Sequence, residues 1–465
     1  MIGGRERVAV VLTLCASAAF HTSQSASAQQ TARPAPVRLI TLDPGHFHAA
    51  LVQKFMYAGV DPLVRVYAPA GDDLAEHLKR IERFNARADE PTHWRQQVYT
   101  GADYLEKMLI GRAGNVVVIS GNNAHKTEYI ERAVGAGMNV LADKPMVIKP
   151  AELARLQQAF ATAEKKGVLL YDIMTERFEI TTILQRALSR ERALFGELVP
   201  GTPENPAITK VSVHHFSKIV AGAPLKRPQW FFDIRQQEEG IVDITTHLVD
   251  LIQWEAFPEQ SLQPSDATVV HARRWTTPLT REQFQSVTGA ADFPDYLRRD
   301  VRDGVLYVFS NGEMTYRLRG AHARLSVTWA FEAPPGGGDT HYSVMRGTKS
   351  NLVIRQGADQ NLKPVLYVEN AAAGGGAELE SALEAAIAIV QDAYPGVSWR
   401  REGDAWVVTV PEKYNVGHET HFAQVTENFL SYLRAGRLPA WEVPNMLTKY
   451  ATIMQAYKLS RLSAH

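Results

Sequence analysis

Cysteine is almost missing: the 465-residue chain has one, Cys15. A disulfide framework is therefore excluded, and the body of the protein has no cysteine nucleophile. Net charge is missing too, because 50 Lys and Arg residues cancel 50 Asp and Glu residues. Without a basic field nothing points to nucleic acid or to an anionic membrane as partner, and a small molecule becomes the default ligand. A membrane-spanning helix needs about 20 apolar residues. No segment reaches that length, so no transmembrane segment is expected.

What is present begins with an export pattern. Arg5 and Arg7 precede an apolar stretch over 8–20, and Ala26-Ser27-Ala28 supplies the small residues of a cleavage site. Residues 1–28 read as a signal peptide, which makes the mature protein exported, periplasmic or secreted. Cys15 falls inside it, preceded by Leu14 rather than by the small residue of a lipoprotein signal, and Arg5-Glu6-Arg7 is not a twin-arginine pair. The length of the remainder suits two domains.

After a Pro- and Ala-rich linker (29–36), apolar runs alternate with amphipathic stretches. Strands are expected at 37–42, 64–67, 97–100, 116–120, 139–142 and 168–173, with helices from His48 and over 72–84, 104–109, 126–137 and 150–166. That alternation builds a parallel sheet covered by helices, so 37–175 is expected to be a Rossmann-like, doubly wound α/β domain. A helix over 180–189 follows, then β-branched and aromatic runs at 208–214, 267–272, 305–309, 314–319 and 324–331, with Ser310-Asn311-Gly312 as a turn signal. Residues 176–465 are expected to form an α+β domain with a large, mainly antiparallel sheet, which is also the candidate surface for a homo-oligomer. Gly336-Gly337-Gly338 and 371–377 read as surface turns, and helices near 419–435 and 443–462 close the chain.

Residues 116–146 read VVVISGNNAHKTEYIERAVGAGMNVLADKPM. Ligands of open α/β sheets sit beyond the carboxyl ends of strands, so Asn122, Asn123, His125 and Lys144 face the expected crevice. Further along, Asp243 and His247 are four apart in EEGIVDITTHLVDLIQW. They would share one helix face, joined by Asp250. An imidazole there can take a hydroxyl proton while hydride leaves the same carbon, with a carboxylate or ammonium to tune it.

In Asn122-Asn123-Ala124-His125, Gly135-Ala136-Gly137-Met138-Asn139-Val140, Asp143-Lys144-Pro145 and Asp243 to His247, the sequence resembles the glucose–fructose oxidoreductase/inositol dehydrogenase (Gfo/Idh/MocA) family. The order and spacing match over most of the mature chain. The resemblance implies a Rossmann domain for NAD or NADP and hydride transfer from a carbohydrate or cyclic polyol hydroxyl, with a 3-keto sugar as one product. It makes Lys144, Asp243 and His247 the catalytic set, with His247 as proton acceptor, Lys144 as electrostatic partner and Asp243 as orienter. Arg177 matches the family's interdomain arginine, which either ties the domains or touches substrate.

The first turn departs from that family. G-x-G-x-x-G lets backbone approach a pyrophosphate, but this chain has Asp43-Pro44-Gly45-His46-Phe47-His48. Nor does the second strand end on a ribose-binding acid: Tyr67-Ala68-Pro69 follows it, with Asp72 and Asp73 slightly later. Either NAD(P) is held in an altered pose by Gly45, His46, Phe47, His48, Asn122, Asn123, His125 and Lys144, or the crevice has lost the nucleotide. The alternative functions are a redox-neutral glycoside hydrolase or lyase, using trapped NAD or a metal, and a non-catalytic sugar-binding protein. Substrate contacts are expected from Arg177, Lys218, Trp230, His214, His341 and His418. His418 and His421, three apart, could hold a metal with a carboxylate, but pocket-lining roles suit them better, and no metal ligand is assigned.

Overall fold

The computed structural model describes residues 36–220, 222–371 and 376–462. The signal-peptide reading, with Cys15, lies outside these residues, as do 29–35 of the linker and part of the 371–377 turn.

The first six strands are β1 (Leu39–Leu42), β2 (Leu63–Tyr67), β3 (Arg95–Tyr99), β4 (Val116–Ile119), β5 (Asn139–Asp143) and β6 (Leu170–Ile173). They pair in parallel in the order β3-β2-β1-β4-β5-β6. Every residue of β1, β4 and β6 is buried, as expected of strands covered on both faces by helices. The helices are α1 (His48–Leu51), α2 (Asp72–Ala86), α3 (Tyr104–Gly111), α4 (Asn123–Gly135) and α5 (Leu153–Lys166). Leu74, His77, Ile81 and Phe84 recur every three or four residues in α2 and form its buried face. The strand order reverses between β1 and β4, and a crevice opens there beyond the strand ends.

Beyond α6 (Ile180–Ser189) lies a ten-stranded sheet. Its strands are β7 (Ile208–Ser217), β10 (Ala267–Leu279), β11 (Val301–Arg302), β12 (Val305–Leu318), β13 (Ala321–Glu332), β14 (Thr340–Arg346), β15 (Ser350–Arg355), β16 (Val365–Asn370), β17 (Ser398–Glu402) and β18 (Ala405–Thr409). A small hairpin, β8 (Ile219–Val220) and β9 (Ala223–Pro224), stands apart. All neighbours in the large sheet are antiparallel except β7 and β13. The remaining helices are α7 (Thr245–Ala256), α8 (Arg281–Thr288), α9 (Gly376–Ala393), α10 (His418–Ala435) and α11 (Glu442–Leu462). Helix α11 packs on α5, α7 and β10, so one apolar core runs from the first sheet into the second.

Two expectations change. Ser310-Asn311-Gly312 is not a turn but lies inside the single strand β12. A Cβ on Gly312 would stand 2.6 Å from Ile241 Cα, so glycine admits the backbone that leads into α7. The turns bounding β12 fall instead at Asp303-Gly304 and Arg319-Gly320, all four at positive φ. Second, Asp243 is not in the helix with His247; it stands in the turn 240–244 just before α7. Helix α9 and the β17–β18 hairpin carry no sequence-based expectation at all.

Candidate active site

The polar residues of the crevice come from the carboxyl ends of β1, β4 and β5 and from the start of α7. Lys144 Nζ lies 2.5 Å from Asp243 Oδ1, and both side chains are buried. Burial alone would lower the Lys144 pKa, but Asp243, Glu238 and Asp143 raise it. Burial likewise works against the Asp243 carboxylate, and Lys144 outweighs it to hold the pKa below the ordinary value. The pair is therefore charged. His247, in the first turn of α7, is buried with no hydrogen bond at Nδ1. Burial, reinforced by the Lys144 charge, holds its pKa well below the usual imidazole range. A neutral imidazole beside an ammonium can accept a proton at ordinary pH.

Asp143 is a second hub. Its Oδ2 accepts from Ser120 Oγ at 2.9 Å and lies 2.9 Å from His48 Nδ1, while Lys126 Nζ donates to its main-chain oxygen at 2.9 Å. Burial opposes its charge, but His48, His46 and Lys126 keep the carboxylate ionised. The sequence reading missed Lys126 and also Glu238, which accepts from Asn123 and from Gln237 Nε2. Burial and then the Asp243 charge raise Glu238 well above the carboxylate range, so a neutral Glu238 stands beside an anionic Asp243. Glu238 sits in the run Gln237-Glu238-Glu239, which by composition alone reads as a solvated face. Only its closeness to Asp243 hinted otherwise.

A cavity of about 570 Å³ gathers Lys144, Asp243, His247, His46, Phe47, His48, Asn123, Lys218, His214, His341 and His418. At its far end Asp339 accepts from Lys218 and pairs with His214 Nδ1 at 2.9 Å. His418 Nδ1 lies 3.6 Å from Glu176. Burial raises Glu176 to about 7, with Glu179 and Asp339 adding to the shift.

Four expected site residues fall elsewhere. Asn122 caps α4 through Ala124 N and donates to Gln236 Oε1. His125 is exposed beside Tyr129. Arg177 does not face the cavity: it forks onto Asp250 at 2.6 and 2.7 Å and reaches Glu442 at 2.8 Å, so all three guanidinium nitrogens are spent on buried carboxylates. Trp230 leaves the expected sugar face, and its Nε1 donates to Asp73 Oδ2 at 2.7 Å. Asp250, expected beside His247, is held by Arg177 and Lys449.

Trp230 and Asp73 line a second cavity of about 370 Å³, with Gly45 and the end of β2. His46, Phe47, Arg227 and Phe231 line both cavities, which therefore run on across the switch point. A Cβ on Gly45 would come within 2.8 Å of Trp230 and 2.9 Å of Asp73, so glycine here admits the close approach of that side-chain pair. Asp43, at φ 47, takes the left-handed conformation that Asp tolerates where glycine is usual. Its carboxyl accepts from Tyr129 Oη at 2.8 Å, and burial raises its pKa. The raised pKa weakens the repulsion that a carboxylate in this turn would exert on a diphosphate. An elongated crevice with an acid at its β2 end and an ammonium at its β5 end fits a dinucleotide.

Residues 184–461 match the family described as "Putative oxidoreductase C terminal domain", and 74–171 match "Oxidoreductase family, NAD-binding Rossmann fold". A solved structure described as a "putative oxidoreductase" from Parabacteroides merdae ATCC 43184 is 53% identical, with a TM-score of 0.90, and covers 93% of this chain and 99% of its own. The "Uncharacterized oxidoreductase YhhX" of Escherichia coli (strain K12) is 26% identical over 161 residues, 31% of this chain. The chain spans 45% of the length of that relative. A levoglucosan dehydrogenase solved with NADH and levoglucosan shares the fold at 14% identity, TM-score 0.56, over 91% of this chain and 98% of its own.

Proposed function

The chain belongs to the Gfo/Idh/MocA oxidoreductases with an NAD-binding Rossmann fold, and we propose that it oxidises a ring hydroxyl of a carbohydrate or cyclic polyol. The observation that carries this reading is the charged Lys144–Asp243 pair beside a neutral His247 in one cavity at the switch point. His247 takes the hydroxyl proton. Lys144 draws the substrate oxygen towards it and stabilises the alkoxide that forms, while Asp243 fixes the ammonium. Gly45, His46, Phe47, Asp73 and Lys144 would hold NAD or NADP, which would supply the hydride acceptor. Asp339, His214, Lys218 and His341 offer the hydroxyl partners that a sugar needs. The levoglucosan dehydrogenase among proteins of this fold supports a carbohydrate class. A sugar-binding role without chemistry leaves the buried Lys144 and Asp243 charges unexplained, since burying them is costly.

The export pattern of residues 1–28 supports a periplasmic or secreted site of action.

The test is to purify the mature chain, identify any dinucleotide by mass spectrometry and measure thermal shifts with NAD⁺ and NADP⁺. A panel of pyranoses, glycosides and cyclitols is then assayed for reduced nicotinamide at 340 nm. One dinucleotide should bind and at least one sugar should be oxidised, with His247→Asn slowing turnover by about 10²–10⁴-fold at unchanged folding. Absence of binding by either dinucleotide would refute the proposal.

A further inference from the structure

Two histidines occupy the turn where a dinucleotide fold ordinarily places glycine. We propose that His46, His48 and Asp143 form a binding site for a divalent transition-metal ion, open to the large cavity. The ligand atoms of the three side chains all lie within 4.8 Å of one another. His48 Nδ1 stands 2.9 Å and His46 Nδ1 3.5 Å from the same Asp143 Oδ2. Ligands of a four-coordinate ion, bonded at about 2.0–2.2 Å in tetrahedral directions, stand roughly 3.4 Å apart. The two separations bracket that value, so small rotations suffice to admit an ion.

His46 Nδ1 is shut away from solvent and makes no hydrogen bond. A buried ring nitrogen without a partner is costly, and a metal ion is an occupant that would use its lone pair. Burial lowers the pKa of both imidazoles and Asp143 is held anionic, so an ion entering here replaces the His48 Nδ1–H that now faces Asp143 Oδ2. The set also has the outer support common at metal centres. Ser120 Oγ donates to the ligating carboxylate, and Lys126 Nζ holds the main-chain oxygen of the same residue.

Two imidazoles and one carboxylate, with no thiolate, suit Zn²⁺, Mn²⁺, Fe²⁺ or Ni²⁺ rather than Cu⁺ or Ca²⁺. His46, His48 and Asp143 all border the 570 Å³ cavity, which gives the ion an entry path and leaves a coordination position for a ligand oxygen. The opposing influence is Lys144, whose charge faces both imidazoles. Asp243 engages that ammonium at 2.5 Å, which reduces its repulsion of a cation. The assignment stands on these residues; it shares His46 with the proposed dinucleotide path, and its test reads metal binding rather than turnover.

The experiment uses the full mature chain, stripped with EDTA and titrated with ZnCl₂ and with MnCl₂ by calorimetry, in parallel with thermal melts. One ion per chain should bind and raise the melting temperature. His46→Gln and His48→Gln, with circular dichroism confirming the fold, should each weaken binding at least tenfold and abolish the thermal shift. His421→Gln, which alters the His418–His421 pair, should leave affinity within twofold. No saturable binding of either ion, unchanged affinity in His46→Gln, or a loss confined to His421→Gln would overturn the assignment.

Discussion

Replacing Lys144 by methionine keeps most of the side-chain volume and removes the ammonium 2.5 Å from Asp243 Oδ1. At an effective dielectric of about 20, the attraction lost is roughly 7 kcal/mol before desolvation is credited back. Breaking a buried pair by removing one partner typically costs about 3–5 kcal/mol net. For a domain of this size, at about 2.1 cal/mol/K per residue, that is a fall of roughly 3–6 °C in Tm. The pH dependence is the sharper signature. In the native protein the Asp243 pKa is depressed by Lys144, so its contribution is present above the unfolded pKa, is constant from pH 5 to 8, and is lost only as pH falls through the folded value. Without the ammonium, burial raises the Asp243 pKa, opposed only in part by the hydrogen bond from Glu238. An acid with a raised pKa contributes stability below its unfolded value and loses it as pH rises towards the folded one. The Lys144→Met deficit should therefore grow between pH 5 and pH 8, by up to about 4 kcal/mol at 1.36 kcal/mol per pH unit. Thermal melts of both proteins at the two pH values measure this directly. An equal deficit at pH 5 and pH 8 would show that Lys144 is not what keeps Asp243 ionised.

Arg177→Met should lower Tm by a similar amount, since it leaves Asp250 and Glu442 buried without their shared guanidinium. Substrate KM should not change, and a raised KM at an unchanged Tm would return Arg177 to the substrate. Glu176 is raised to about 7: it is neutral below that pH and adds a negative charge to the cavity above it. The kcat/KM profile should therefore inflect near pH 7, and Glu176→Gln should remove the inflection. If the inflection persists in that variant, another group titrates there.

What the sequence determined by itself was local or carried by short spacings. Apolar runs of four to six residues alternating with helical periodicity specify a covered parallel sheet, because strand and helix each impose their own repeat on burial. The strand-end motif at Asp143-Lys144, with Asp243 and His247 about one hundred residues later, located the crevice. Tertiary structure decided which polar groups meet. Arg177 and Trp230 have the composition of substrate contacts, but their partners Asp250, Glu442 and Asp73 are remote in the chain. No periodicity announces such pairings. Glu238 looked solvated until packing placed it against Asp243, and Gly312 looked like a turn until the backbone at Ile241 needed its missing side chain. The same holds for His46 and His48, which met Asp143 from 95 residues away or more. Periodicity encodes which face of an element is buried, but the partner of a buried charge is fixed only when distant segments close on it and exclude water.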